Sequence, residues 1–355
     1  MKWSQIGSFK HPLSFVRQVF IWETWSFFLG SYGMLEIVKQ LAVISRAEFL
    51  LPNLGSLNMG LAWGADQSLS FSAMVSLVVL LFTIINLSSA IGAQANTIFD
   101  YELDVKDQRK QELVQAFDSF GHNRLKKVLI VEFAATLALV TVLMSAWSKP
   151  ILLSMWVIGI FLGFFYSAPP LRIKSRSWLA PVTLILVLAI FPVFFAYFAF
   201  TSELNPVFPL ALVGLAFTVY GVIIPTETRD YFGDKAMGIE TMTVRLGLVK
   251  ASLLSILLLS LGGALIGTAF LITFAYGQYP LLSLLVLAIA VADLTVLRRL
   301  KKLYALSKEY ENSSDQNLIA KKIMSFSADN PKWIMLVTQT YSFVSIIMLV
   351  SKFLH

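Results

Sequence analysis

Two acidic clusters, each at the end of a long apolar run, are the residues of this sequence best suited to chemistry. The first comprises Asn96, Asp100 and Asp104, at intervals of four residues. The second comprises Asp230 and Asp234, at the same interval. Carboxylates beside apolar segments are costly to bury alone, and a divalent cation can supply their partner. Because magnesium held by few carboxylates usually also holds substrate phosphates, the clusters favour an enzyme acting on a phosphorylated lipid.

An interval of four residues places side chains on nearly the same face of an α-helix, since each step turns about 400°. Asn96, Asp100 and Asp104 are therefore expected to form one polar stripe that faces a cavity. A neutral amide oxygen together with two carboxylates suits a hard cation such as Mg2+. Arg109 follows five residues later and can bind a phosphate through two hydrogen bonds. A solvated helix end would explain either cluster alone, but two clusters on one membrane face favour a metal site.

A third motif lies where another apolar run ends, in the segment from Phe165 to Lys174. Two consecutive prolines stop a helix there. The hydroxyls of Tyr166 and Ser167 precede the prolines, and the cations of Arg172 and Lys174 follow them. One interpretation is a set of diphosphate contacts. The other is an ordinary belt of Tyr, Arg and Lys at a membrane interface.

The composition describes a polytopic membrane protein. Of its 355 residues, 57% are hydrophobic and only 14% are charged, whereas an average soluble domain is about 25% charged. The chain has no cysteine, which excludes disulfides and thiolate metal sites. Its three scattered histidines indicate no zinc or haem site. The net charge of +7 lies beside apolar segments and fits anionic lipids and diphosphates, so no nucleic acid partner is expected.

Nine apolar runs are candidates for crossing a membrane, for which about 20 residues are needed. They lie at about residues 21–43, 69–95, 128–147, 151–168, 178–200, 207–226, 251–275, 279–297 and 333–353. The segment 1–20 shows no cleavable signal peptide. It is either an interfacial helix or a polar lead-in to the first span.

The distribution of basic residues orients these spans. Most of the 28 Lys and Arg residues lie in the N-terminal segment and in the loops after the even-numbered spans. Since cytoplasmic loops are enriched in Lys and Arg, the N-terminus is expected inside the cell and the C-terminus outside. Both acidic clusters then lie on the cytoplasmic side of the cell membrane. Arg46, between the first two spans, is one of four basic residues outside this pattern.

Together, the three motifs resemble the UbiA superfamily of intramembrane prenyltransferases. The resemblance rests on the acidic clusters with Arg109, on the run Tyr166 to Lys174, and on Gly238-Ile239-Glu240-Thr241 and Val244-Arg245-Leu246-Gly247. It extends over most of the chain in order, spacing and number of spans. It implies one all-α domain over residues 1–355, with nine transmembrane helices around a central cavity and a cytoplasmic cap.

The resemblance also assigns roles to the site residues. The Mg2+ ligands would be Asn96, Asp100, Asp104, Asp230 and Asp234. The four aspartates among them would be the catalytic residues. The side chains that bind the diphosphate would be Arg109, Tyr166, Ser167, Arg172 and Lys174. The implied partners are a prenyl diphosphate, a hydrophobic acceptor and membrane lipid.

The segment after Arg109 favours a lipid or terpenoid acceptor over an aromatic acid. Quinone- and haem-type members often carry a Thr or an Arg-Pro pair there, whereas this chain has no proline between Arg109 and Pro150. An intramembrane terpene cyclase with the same metal ligands remains the alternative within the superfamily. An ion- or proton-coupled transporter is the alternative of another class. Acidic residues at the ends of spans, and not at their centres, favour the enzyme.

Overall fold

The fold comes from a computed structural model that describes residues 32–65, 69–107, 110–176, 178–277 and 280–353. Within these residues all regular structure is helical. In chain order the helices are α1 (Tyr32–Ile44), α2 (Leu50–Gly64), α3 (Phe71–Asp104), α4 (Gln111–Phe120), α5 (His122–Trp147), α6 (Pro150–Phe165), α7 (Leu179–Ile185), α8 (Phe191–Phe200), α9 (Phe208–Ala236), α10 (Met242–Leu246), α11 (Leu248–Ala275), α12 (Val286–Asn312), α13 (Gln316–Ala328) and α14 (Asn330–Lys352). The expectation of an all-α fold is confirmed.

Seven helical segments of the described chain are long and apolar enough to cross a membrane. They are Ser72–Asp104, His122–Trp147, Leu179–Phe200, Phe208–Ala236, Leu248–Ala275, Pro280–Asn312 and Gln316–Lys352. Helix α6 is apolar but shorter, with 16 residues. The chain is thus a multi-pass membrane protein, whereas nine crossings and a cytoplasmic cap stay predictions.

The first predicted span, residues 21–43, needs correction. Its beginning lies outside the described residues, and its described end, α1, packs against α4. The sequence prediction missed α2. This helix packs within the bundle, between α8 and α14. Asn58 interrupts the apolar pattern of α2, yet its amide donates to Ser342 Oγ at 2.7 Å. That partner lies far away in the sequence, so the pattern alone underestimated how well α2 can be buried.

Helix length explains where the acidic clusters lie. About 20 helical residues cross a hydrocarbon core of about 30 Å. Helix α3 contains 34 residues, and its N-cap Ser70 accepts a hydrogen bond from Ala73 N at its start. Helix α9 contains 29 residues. Both therefore extend past the core, and each carries its acidic cluster in its last turns.

Small residues bring the helices of the bundle close together. A Cβ atom at Gly214 of α9 would lie 2.8 Å from the carbonyl oxygen of Gly262 in α11. A Cβ atom at Gly60 of α2 would lie 2.5 Å from the carbonyl oxygen of Val193 in α8. Close approach at small residues is typical of helix packing in membranes. The scaffold behind the site is therefore sensitive to any added side chain at these two contacts.

Candidate active site

The last turns of α3 bring Asn96 and Asp100 into direct contact. The Asn96 amide donates to Asp100 Oδ2 at 2.8 Å and to Ser167 Oγ at 2.7 Å. The Ser167 hydroxyl donates to the same Asp100 oxygen at 3.2 Å. Asp100 is only 3% exposed and Ser167 only 1%. Three residues that the sequence singled out thus form one hydrogen-bonded group, in which Asp100 and Ser167 are buried and Asn96 is partly buried.

Two cations from the turn after α6 approach this group. Lys174 Nζ forms an ion pair with Asp100 Oδ1, and Arg172 Nη2 lies 3.7 Å from the same oxygen. Burial lowers the pKa of the Lys174 ammonium, and the Asp100 carboxylate acts in the opposite direction. The neighbouring Ile173 side chain is buried and anchors the turn. Both predicted cations therefore reach the first acidic cluster.

Asp104 forms the outer end of the first cluster. It is 3% exposed, and Lys110 Nζ donates to its Oδ1 at 2.5 Å. Its Oδ2 is buried without a hydrogen-bond partner among the described residues. A buried carboxylate oxygen without a donor is costly and suits a cation. Arg109, also expected here, lies outside the described residues.

The second cluster lies on one face of α9. Arg229 donates to both carboxylate oxygens of Asp230, from Nε at 3.0 Å and from Nη2 at 3.3 Å. One turn earlier, Glu227 accepts a hydrogen bond of 2.7 Å from Thr243 Oγ1 of α10. Glu227, Asp230 and Asp234 are three and four residues apart, which places them on the same helix face. Glu227 was not among the predicted site residues and adds a third acidic group.

Tyr166, at the end of α6, links the two clusters. Its hydroxyl interacts electrostatically with Asp100 of α3 and with Asp234 of α9. The Glu227 carboxylate also acts on this hydroxyl as a nearby negative charge, and the Arg46 guanidinium acts on it as a nearby positive charge. The C-terminal ends of α3, α6 and α9 therefore lie near one another. The structure thus brings the third motif between the two acidic clusters.

The residues present fit a hard cation that takes most of its ligands from water and substrate phosphates and few from side chains. Within the described ranges, no three Asp, Glu or His side chains lie close enough together to hold a metal ion. The available donors are carboxylate and amide oxygens, which Mg2+ prefers. Mg2+ in proteins usually has one or two carboxylate ligands and completes its shell with water and substrate phosphates. The Asp104 oxygen without a donor is one such ligand position.

Arg46 joins the site from the connection between α1 and α2. Its Nη2 donates to Asn96 Oδ1 at 3.4 Å. Its backbone is left-handed, with φ 51° and ψ 61°, a region that residues other than glycine seldom occupy outside functional sites. Arg172 and Ser148 are the other two non-glycine residues of positive φ in the described chain. The predicted first span placed Arg46 away from the site. In the structure the chain enters the bundle through α2, directly after Arg46, and Arg46 lies beside Asn96.

A cavity of about 240 Å³ begins at these polar groups and continues into the bundle. Arg46, Asn96 and Tyr166 line its polar end. Its other walls are mainly apolar and include Ile84, Ile85, Met155, Trp156, Phe191 and Phe195. Along α3, the twelve helical steps from Ile84 to Asn96 correspond to about 18 Å. The cavity therefore combines a charged mouth with a long apolar interior.

Packed side chains form part of the apolar wall of this cavity. Trp156 Nε1 donates to Ser88 Oγ of α3 at 3.0 Å, which fixes the indole ring. Ile84, Trp156 and Phe195 belong to a buried cluster that continues into the bundle. On one wall, the wide helical turn Leu186–Ile190 joins α7 to α8. Such π-type turns are frequent at functional sites.

Solved structures share this fold. One is of digeranylgeranylglyceryl phosphate synthase in membranes, with a TM-score of 0.59, 16% identity, and coverage of 88% of this chain and 99% of the other. Another is of a UbiA homologue from Archaeoglobus fulgidus bound to GPP and Mg2+. It has a TM-score of 0.56, 19% identity, and coverage of 84% of this chain and 99% of the other. At these identities the likeness establishes the fold alone.

Sequence comparison adds a relative and a family. Over 134 residues the chain is 30% identical to probable homogentisate phytyltransferase 2, chloroplastic, of Oryza sativa subsp. japonica. That match spans 36% of this chain and about a third (35%) of the rice protein. The sequence pattern of the UbiA prenyltransferase family matches residues 51–309, which include both acidic clusters and the turn after α6. The chain therefore belongs to the UbiA prenyltransferase family, which confirms the resemblance drawn from its motifs.

Proposed function

We propose that this protein is a Mg2+-dependent intramembrane prenyltransferase that transfers an isoprenyl group from a prenyl diphosphate to a lipophilic acceptor. The observation that carries the proposal is the cavity with Arg46, Asn96 and Tyr166 at its mouth and apolar walls beyond. A prenyl diphosphate has the same division into a charged head and an apolar tail. The related fold that was solved with GPP and Mg2+ supports this choice of substrate.

In this proposal the polar end binds the diphosphate. The metal ligands are Asn96, Asp100, Asp104, Asp230 and Asp234. The direct diphosphate contacts are Arg46, Arg109, Tyr166, Ser167, Arg172 and Lys174. Bound Mg2+ would neutralise the diphosphate and assist its departure from the allylic carbon. Lys174 already lies against Asp100, so its ammonium is placed to add positive charge at the same point.

The apolar interior holds the tail and keeps water from the reacting carbon. About 18 Å of α3 separates Asn96 at the mouth from Ile84 at the deep end, which sets an upper limit on the extended tail. Trp156 lines the apolar part of the cavity and is held by Ser88. Exclusion of water matters because an allylic cation would otherwise be hydrolysed before the acceptor attacks.

The acceptor and the topology complete the proposal. The absence of an Arg-Pro pair after Arg109 favours a lipid or terpenoid acceptor. The rice relative, named as a homogentisate phytyltransferase, makes homogentisate the acceptor to test against it. We further propose nine transmembrane helices in the cell membrane, a cytoplasmic N-terminus, and a capped active site that opens to the cytoplasm.

The proposal is tested with purified protein in lipid nanodiscs, geranylgeranyl diphosphate and MgCl2. Parallel reactions contain membrane lipid extract, homogentisate or no acceptor, and products are identified by mass spectrometry. We expect a prenylated lipid in the first reaction. A cyclised terpene formed in the reaction without acceptor would mean that the protein is a cyclase and not a transferase. A lack of diphosphate release in every reaction would reject both activities.

Two substitutions make the assay specific to the site. Asp100→Asn should lower turnover by about 100-fold or more. Asp329→Asn is the matched control, because Asp329 is exposed and its contact with Lys332 at 3.2 Å lies at the start of α14. An equal loss of activity in the two variants would mean that the activity does not depend on the proposed site.

A further inference from the structure

A chain of polar contacts runs behind the site, from α5 through α3 to the turn before α2. The Gln94 amide nitrogen donates to Ser45 Oγ at 2.9 Å and to Glu132 Oε2 at 2.7 Å. Gln94 is fully buried, with 0% exposure. The Glu132 carboxyl oxygen accepts from this nitrogen, so the amide turns its NH2 group towards α5. The acidic group on α5 thereby fixes the orientation of Gln94.

The same turn holds α3 at two points. Gln94 and Asn96 are two residues apart, so their side chains leave the helix about 200° apart. Gln94 contacts Ser45 on one side of α3, and Asn96 accepts a hydrogen bond from Arg46 at the cavity. Adjacent residues of the turn therefore bind opposite sides of the helix that carries the first acidic cluster.

The backbone of Arg46 requires such support. A left-handed residue other than glycine persists only where its surroundings determine the conformation. The turn is closed by hydrogen bonds from Ser45 N to Leu41 O and from Phe49 N to Arg46 O. Ile44 is fully buried in a cluster that includes residues of α4. The Ser45–Gln94 contact connects this local turn to α3 beside the weaker Arg46–Asn96 bond, which is 3.4 Å long.

Packing alone does not explain these polar residues. Gln94 lies inside a segment apolar enough to span a membrane, where an aliphatic side chain would fill space without desolvating an amide. Its Oε1 is buried and has no hydrogen-bond partner among the described residues. Polar groups at such depth are expensive and usually functional. The bonds that Gln94 does make lead to the residue preceding Arg46.

We propose that Glu132, Gln94 and Ser45 are positioning residues that hold Arg46 in place to bind diphosphate, and with it the side-chain oxygen of Asn96 in place to bind the cation. This inference rests on the proposed function, since it concerns the same polar mouth of the cavity. Loss of any link should weaken the binding of the prenyl diphosphate more than it slows the chemical step.

Kinetics of single variants separate positioning from a general packing role. Gln94→Leu, Ser45→Ala and Glu132→Leu should each raise KM for geranylgeranyl diphosphate about tenfold, as supporting residues of a binding site do, with little change in kcat. Glu132→Gln retains a hydrogen-bond acceptor and should keep KM near that of the parent. Thr136→Val is the control, because Thr136 is equally buried and bonds the Glu132 backbone carbonyl.

A double variant tests whether the effect passes through Arg46. Arg46→Met should raise KM at least as much as Gln94→Leu, and the combination should be no worse than Arg46→Met alone. Independent, multiplying effects would overturn the inference. So would a parent-like KM for Gln94→Leu, or a Glu132→Gln defect equal to that of Glu132→Leu. Ser45→Ala keeps the test decisive if Gln94→Leu fails to fold.

Hydrogen exchange gives a readout that does not depend on activity. In Gln94→Leu, the backbone amides of residues 44–49 should exchange faster than in the parent, while those of α14 stay unchanged. Unaltered exchange in residues 44–49 would overturn the inference even if KM rose. If the parent protein neither binds nor converts any prenyl diphosphate, the proposed function fails, and the exchange result alone then decides the positioning of the turn.

Discussion

Replacing Ser167 with alanine tests the geometry around Asp100 with a small change. The Ser167 hydroxyl accepts from Asn96 at 2.7 Å and donates to Asp100 at 3.2 Å. A hydrogen bond contributes about 1 kcal/mol between neutral groups and about 1.5–3 kcal/mol with a charged group. The direct Asn96–Asp100 bond at 2.8 Å can persist. We therefore expect a loss of about 2 kcal/mol, or about 30-fold in kcat/KM.

The assay measures initial rates of diphosphate release from geranylgeranyl diphosphate with MgCl2 and lipid extract. Ser345→Ala is the matched control, because Ser345 is 0% exposed and donates to the Tyr341 carbonyl within α14. Both variants remove one buried hydroxyl, but only Ser167 belongs to the candidate site. Parent-like kcat/KM in Ser167→Ala, or an equal loss in Ser345→Ala, would refute the reasoning.

Three further predictions concern the metal ligands, the cavity and the metal. Asp100→Asn and Asp234→Asn should each lower turnover by about 100-fold or more, as the loss of charge stabilisation does, while size-exclusion profiles stay unchanged; turnover near the parent rate in either variant would reject that ligand. Trp156→Ala removes a large ring from the apolar wall of the cavity, so competition between prenyl diphosphates should shift towards longer chains, and an unchanged preference would mean that another residue limits the chain length. Removal of metal with EDTA should abolish turnover and MgCl2 should restore it; activity that persists without metal would contradict the proposed chemistry.

Local periodicity was sufficient for the acidic clusters. The four-residue interval predicts that Asn96 and Asp100 share a helix face, and their side chains do form a hydrogen bond. The double proline predicts that α6 ends near Tyr166, and the helix ends at Phe165. These features depend on residues within a few turns of one another, and such relations can be read from sequence.

Features that depend on distant partners were missed. Helix α2 carries Asn53 and Asn58, which weaken its apolar pattern until their partners Asn86 and Ser342 are known. Without α2 among the spans, Arg46 could not be placed beside Asn96. Glu227 was likewise overlooked as a site residue because its contact, Thr243, comes from α10, a short helix in the following loop. Long-range pairing, and not propensity, decided each case.

The proposed convergence of α3 and α9 on one metal–diphosphate assembly is tested most directly with Mn2+ in place of Mg2+. Electron paramagnetic resonance counts bound Mn2+ during a titration with geranylgeranyl diphosphate. The parent protein is predicted to take up Mn2+ together with the diphosphate, and Asp100→Asn and Asp234→Asn are each predicted to lose that uptake. Undiminished uptake by Asp234→Asn would mean that α3 binds the metal without α9, which contradicts the account.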